Sequence, residues 1–370
     1  MQKSPVTRMF SFRAYLLFFI ISTAQIGVGG ASFQRNLYKI VEQDSWIAVI
    51  IAGLAAHIVV AALLFFLGKN PDMDLYDLHQ GAFGKFAGAL CSTVYILYLM
   101  TIALTILRNY IQIVQTWMFP DMPTWFLSLV VLALMLYGIL GGLRVIIGVG
   151  LISVITITSE VVLFYYPIKY ANWGYLLPVM EHPLSDMIKG AFSMSFTIVG
   201  FELLMFVYPF VSNKAKAAKY SHLAIAFTTL TYLIFIVTTL VYFSGEQLIH
   251  TIWPTLTLLK IVEFPIFERV EYITVSLYLI AILPNTMLYV WSASRGLSKI
   301  IRIKERQAPV WIAAALFISS VLFTSHLEVE RLNSFSGRFS VIMSFLYPLI
   351  ICLILTVKRA LTRPGKRRLT

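Results

Sequence analysis

A succession of about ten apolar runs, each close to twenty residues long and set apart by short polar punctuation, constrains this chain more than any other feature. The runs read as 12–33, 46–67, 86–108, 124–142, 146–167, 190–211, 222–243, 272–293, 309–326 and 339–357. About 20 mostly apolar residues cross the hydrocarbon core of a bilayer as a helix. Helices also satisfy their own backbone groups, as lipid requires. With 59% hydrophobic and 12% charged residues, against about 25% charged in an ordinary soluble domain, the chain has too little polar surface to face water. The expected fold is an all-α membrane protein of about ten transmembrane helices, one domain over residues 1–370.

The formal net charge of +12 raises the question of nucleic acid, but the charges sit in the gaps between apolar runs. With both termini placed in the cytoplasm, 20 of the 29 lysines and arginines fall in inner segments and 9 in outer ones, the bias that orients membrane proteins. The basic tail 358–370 (KRALTRPGKRRLT) reads as flanking charge drawn to anionic lipid headgroups, so no nucleic-acid partner is expected. Cys91 and Cys352 lie inside apolar runs and suit neither a disulfide framework nor a metal site. The first run lacks a cleavage site of the A-x-A kind. The gap 244–271 holds a semi-apolar stretch too short to cross, expected as a short helix on the outer face.

Two spans carry interruptions. The first reads FFIISTAQIGVGGASFQRNLYKIVEQ, with Gly27, Gly29 and Gly30 clustered where each glycine costs a helix about 1 kcal/mol. The sixth reads AFSMSFTIVGFELLMFVYPFV, with Gly200 and Glu202 near its middle. Spans one and six correspond in a five-plus-five arrangement, about 12–167 and 190–357. Breaks at matching places in two halves point to an inverted-repeat transporter fold with a site at mid-membrane. Glycines at either span alone mark close helix packing as readily; their coincidence favours a site.

Glu160 and Glu202 are the acids inside the spans, and carboxylates at that depth by default mark function. Glu202 adjoins the break and suits capping of freed N–H groups, pairing with a cation, or proton carriage. Glu160, nearer the outer end of span five, is expected to reach water. His57 and Arg108 read as packing or interfacial groups. Span eight offers Pro284, Asn285, Thr286 and Tyr289, with 285 and 289 on one face; span three offers Tyr98 and, one turn on, Ile102. Each of these suits a pocket wall or an interhelical hydrogen bond.

In order and spacing, several motifs resemble the B subunits of bacterial spore germinant receptors, a branch of the amino acid–polyamine–organocation transporter superfamily. They are IGVGG in span one, GKFAGAL opening span three, LLPV at 176–179, VGFE at 199–202 and TIWPTLTLLKIVEFPIFERVEYI at 251–273. The resemblance implies ten spans with the amino-acid permease fold, discontinuous helices 1 and 6, and a pocket among spans one, three, six and eight. Carried over by alignment, the candidates are Gly27, Gly29, Tyr98, Ile102, Val199, Gly200, Asn285 and Tyr289, with Glu202 at a position commonly acidic in relatives. It also implies a nutrient ligand, A and C subunits as partners, and a spore inner membrane or cell membrane location; an apolar pocket with Tyr98, Asn285 and Tyr289 suits a small neutral amino acid, with nucleosides and sugars as the alternatives. No cofactor or metal is expected. One departure is ASFQR at 31–35, where relatives carry Leu-Thr-Leu-Pro-Arg: Arg35 is kept, but Gln34 stands in place of proline.

The competing function is a secondary amino-acid transporter coupled to H⁺ or Na⁺. Span five holds no lysine, which removes one proton-coupling scheme; serine and threonine ligands for sodium are abundant. A membrane enzyme would need paired acids or a His/Asp/Ser constellation, and the spans hold none.

Overall fold

The apolar runs become helical because lipid leaves the backbone no partner but itself. The computed structural model describes residues 11–262, 270–323 and 325–362. Residues 263–269, part of the stretch 251–273, and 363–370 of the basic tail lie outside them. Among the described residues the regular structure is helical, apart from one isolated bridge between Phe12 and Val211. Six helices are long and apolar enough to cross a membrane: Phe33–Lys69, Leu75–Trp117, Leu143–Ile168, Lys214–Tyr242, Tyr272–Ile301 and His326–Lys358. Four more are apolar but shorter, Leu16–Gln25, Thr124–Leu140, Phe201–Phe210 and Ala308–Leu322.

In chain order the elements used below are α1 (Leu16–Gln25), α2 (Phe33–Val41), α3 (Ser45–Lys69), α4 (Leu75–Trp117), α5 (Thr124–Leu140), α6 (Leu143–Leu163), α7 (Leu184–Ser193), α8 (Phe201–Phe210), α9 (Ala217–Tyr242), α10 (Gly245–His250), α11 (Pro254–Leu259), α12 (Val270–Ile301), α13 (Ala308–Leu322), α14 (His326–Ser340) and α15 (Tyr347–Thr362). The long α12 packs on α4 and α6, while α9 packs on α3 and α1. Helices α1 and α8 are thereby enclosed; every residue of α8 is buried.

Polar chemistry fixes the ends. Asp74 caps α4 in a reciprocal capping box with Asp77, satisfying donors that a helix start leaves free. The same carboxylate, 2% exposed, receives Lys299 Nζ at 2.8 Å on both oxygens and Arg295 Nη2 at 3.2 Å from α12. Lys299 also donates to Asp77 at 2.7 Å. This ion cluster ties the start of α4 to the end of α12. Tyr76 packs against Gly296 and donates to the Ser292 carbonyl at 2.9 Å.

Two sequence expectations need correction. The gap 244–271 does not simply rest a helix on the outer face: α10 and α11 fold inward, with Leu256, Leu258 and Leu259 buried. Thr255 Oγ1 donates to the Gly30 carbonyl at 2.7 Å. Its hydroxyl also accepts from Gln34 Nε2 at 2.5 Å, so the residue that stands where relatives have proline stitches α2 to this inward-turned segment. The last apolar run also starts too late at 339. Helix α14 begins at His326 with a Ser325–Glu328 capping box and passes through a π turn, Val341–Leu346, into α15. Its first turns carry Glu328, Glu330 and Arg331, and its last turn Arg338, charges that hide a helix from a hydropathy reading.

Candidate functional site

Helix α1 ends at Gln25. Ile26 and Gly27 are extended, Val28–Ala31 forms a single 3₁₀ turn, and the chain resumes as α2 at Phe33. In the sixth run a short helical turn, Ser195–Ile198, stops at an extended Val199; Gly200 then takes φ +119° before α8 begins. That angle lies where a side chain is strained, and a Cβ there would collide with the Ala24 carbonyl. Glycine at 200 is thus required by both dihedral and neighbour.

Both breaks free backbone groups at a depth where each unpaired one is costly, and side chains answer them one by one. Glu202, fully buried, accepts the Gly200 N–H at 2.7 Å on Oε2, and the hydroxyls of Tyr98 and Tyr289 at 3.0 and 3.1 Å on Oε1. The Tyr98 hydroxyl also lies 2.6 Å from Ser344 Oγ in the π turn. Gln25 Nε2 donates to the Ile198 carbonyl at 2.7 Å, and its Oε1 accepts from Thr228 at 2.7 Å. Tyr278 donates to the Gly27 carbonyl at 2.9 Å. The Tyr232 hydroxyl lies 2.8 Å from the Gln25 carbonyl and 3.1 Å from that of Thr197, bridging the two breaks.

Between the breaks lies a small inner cavity. Its free volume is about 10 Å³, and Ala24, Gln25, Gly27, Val28, Gly29, Ile102, Ile106, Phe196, Thr197, Val199, Asn285 and Tyr289 line it. That is room for about one water. Asn285 is 3% exposed and its Oδ1 has no hydrogen-bond partner. Buried amide oxygens without a partner are rare enough to require a reason. A Cβ on Gly27 would fall 2.6 Å from Asn285 Nδ2, and one on Gly29 would fall 3.0 Å from the Thr197 Cα. Glycine at both positions therefore keeps the cavity open.

Outside this cavity is a vestibule of about 580 Å³. It is framed by α2 (Arg35, Lys39), α4 (Asn109, Gln112), α14 (His326, Glu330, Asn333, Arg338) and Trp253. Val28, Gly29, Phe196 and Thr197 line both spaces and form the thin wall between them.

Of the nine residues singled out from sequence, Gly27, Gly29, Ile102, Val199, Asn285 and Tyr289 meet at the inner cavity. Tyr98, Gly200 and Glu202 stand behind it, joined by the hydrogen bonds above. Glu160 departs from expectation: it is 4% exposed and its Oε1 has no partner, so it does not reach water. Sequence reasoning missed Gln25, Tyr232 and Tyr278, the donors that answer carbonyls at the two breaks. Tyrosines inside apolar runs were the available signal, but nothing in the sequence says which carbonyls they meet. It missed the vestibule as well, whose lining comes from turns that look merely polar.

A family model described as spore germination protein matches residues 12–329. The chain belongs to that family. It is 32% identical over 349 residues to spore germination protein GerQB of Bacillus cereus, covering 94% of this chain and 97% of that one. It is 21% identical to spore germination protein YndE of Bacillus subtilis, covering 95% and 97%. This is the family to which the motifs pointed, and this germination protein is a multi-pass membrane protein and not an enzyme. Among solved structures, the substrate-bound outward-open state of a Na⁺-coupled sialic acid symporter superposes with a TM-score of 0.67 at 12% identity. It covers 93% of this chain and 78% of the symporter. The shared feature is the fold.

Proposed function

We propose that this germination protein is the membrane subunit of a germinant receptor that binds a small nutrient, an amino acid above all, in the cavity between the broken α1 and α8. In this reading ten helices cross the bilayer as an inverted five-plus-five repeat, about 12–167 and 190–357, with both termini in the cytoplasm. The wall candidates Gly27, Gly29, Ile102, Val199, Asn285 and Tyr289 contact the ligand, while Tyr98, Gly200 and Glu202 hold the broken main chain in shape. A and C subunits complete the receptor.

The observation that carries the reading is Asn285. A buried amide oxygen without a partner sits in a glycine-walled space between two helix breaks, and a ligand N–H or O–H answers it. The space holds about one water, so a nutrient enters only if the wall of Phe196, Thr197 and the glycine turn yields. A ligand bound there favours the wider packing by its differential affinity for the two states, which is how binding becomes a signal.

The fold it shares with a Na⁺-coupled symporter keeps the transporter reading in view. Against it, the carbonyls of Gln25, Gly27 and Ile198 already accept hydrogen bonds from Tyr232, Tyr278 and Gln25. Such carbonyls coordinate the ion in coupled transporters with broken helices; here protein donors take that place. The test uses spores in which this is the sole receptor, and membrane vesicles holding the purified protein. Loss of the response to one nutrient on deletion, with uptake by growing cells unchanged, is expected. Gradient-driven uptake of that labelled nutrient at permease rates overturns the receptor reading.

A further inference from the structure

The vestibule carries a charge imbalance that the inner cavity does not share. Arg35, Lys39 and Arg338 line it against a single acid, Glu330. Arg35 is held by Nε donating to the Ile249 carbonyl at 2.7 Å. Lys39 and Arg338 have no ion pair or hydrogen bond among the described residues. Among the neutral polar groups of the lining, in contrast, Asn109 and Asn333 exchange amide hydrogen bonds at 2.6 and 3.0 Å, and Gln112 contacts His326.

A second observation points the same way. Arg108 lies on the turn of α4 that supplies Asn109 and Gln112, and it is 2% exposed with Nε and Nη1 unpartnered. A buried guanidinium is costly even when an acid acts on it, as Glu328 in the first turn of α14 does here, and in a membrane protein such a group pairs with something or lines a route for charge. Its field adds to that of the lining cations, and low-dielectric walls around a cleft focus that field on an incoming ion. The inner cavity beyond the shared wall has no charged lining residue, so the cationic side chains that face an entering molecule are those of the vestibule.

We infer that the vestibule captures the oxyanion end of the nutrient, a carboxylate above all, and stands in series with the inner cavity that takes the rest of the molecule. This rests on the receptor reading and adds a ligand class to it. The receptor prefers small acids and zwitterions with a free carboxylate over the same molecules with that carboxylate masked as an amide, and the preference is set outside the Asn285 cavity. Arg35, Lys39 and Arg338 act on how readily the nutrient arrives, as charges at the rim of a binding site do.

The test uses spores with this chain in the sole receptor. The probes are the common L-amino acids, the carboxamide of each, and nucleosides paired with their monophosphates. For a triggering amino acid, its carboxamide is expected to need at least about tenfold more compound. The double variant Lys39→Glu, Arg338→Glu is expected to raise the half-maximal concentration of the acid about tenfold or more. It should leave the maximal extent intact and should not raise the carboxamide dose, because that probe keeps its ammonium and carries a net positive charge. Lys39→Gln, Arg338→Gln gives a smaller shift in the same direction, and high salt shrinks both differences. If monophosphates replace amino acids with the same dependence on the two cations, the captured oxyanion is phosphate. Equal potency of acid and carboxamide in the wild type overturns the inference while the receptor stands. So does an unchanged dose curve in an assembled charge-reversed receptor. A response to no probe removes the receptor reading instead.

Discussion

Removing Lys299 should make the receptor leak. Its ammonium bonds both oxygens of the buried Asp74 and one of Asp77, tying the start of α4 to the end of α12. In the Lys299→Ala variant Asp74 keeps Arg295 and the Asp77 N–H, so the carboxylate is not orphaned. The loss is then that of a charge-assisted bond pair, about 2 kcal/mol, at the low end because the lysine is partly wet. If the cluster forms only in the resting packing, about 2 kcal/mol moves the balance between resting and signalling states about thirtyfold. Asp74→Ala also removes a helix cap and leaves two cations unpaired, so its effect is larger. The assay is spontaneous germination in buffer without nutrient, with subunit levels checked by immunoblot. Lys299→Arg, which keeps the charge and leaves the Asp74 cap and the Arg295 pair in place, should stay near baseline. A Lys299→Ala receptor present at normal level, silent without nutrient and with an unshifted dose curve, would refute the argument. The pH dependence has a defined sign. Burial alone would push the Asp74 carboxyl up, but Lys299 and Arg295 outweigh it and hold the group below its ordinary value. A depressed carboxyl contributes stability above the usual aspartate range near 3.9, lost as pH falls through the lower folded value. The wild type should therefore stay locked at pH 5 and loosen only under stronger acid.

Asn285→Ala removes the unanswered amide and should raise the half-maximal nutrient concentration about tenfold, as loss of one ligand hydrogen bond does; leucine at 285 should abolish the response with the protein still inserted. Gly27→Ala and Gly200→Ala should separate. The first pushes only the Asn285 amide and should weaken nutrient response at normal protein level. The second meets a backbone carbonyl at a forbidden φ and should lower the amount of folded protein in membranes. Tyr232→Phe should cost about 1–3 kcal/mol because two buried carbonyls lose their shared donor, read as a lower melting temperature in detergent.

The helical architecture was legible because lipid imposes one rule on every run, and the two breaks showed because glycines cluster where a helix would otherwise continue. The partners of those breaks were not legible. Tyr232 and Tyr278 sit more than two hundred residues from the carbonyls of Gln25 and Gly27 that they meet, and only packing decides such pairs. Glu202 was visible as a buried acid beside Gly200, yet two of its three donors follow from where α4 and α12 place their tyrosines. The early turns of α14 were lost to hydropathy because they line the polar vestibule and carry charge. Glu160 misled for the opposite reason: its position near a span end suggested water, and the neighbouring helices close over it.

The Tyr232 hydroxyl owns one proton and reaches two carbonyls, those of Gln25 and Thr197, at 2.8 and 3.1 Å. Two interrupted rods are thus hung from a single hook on α9. Whatever tugs one of them toward an arriving guest slackens its neighbour's hold on that hook, so neither rod gives way alone.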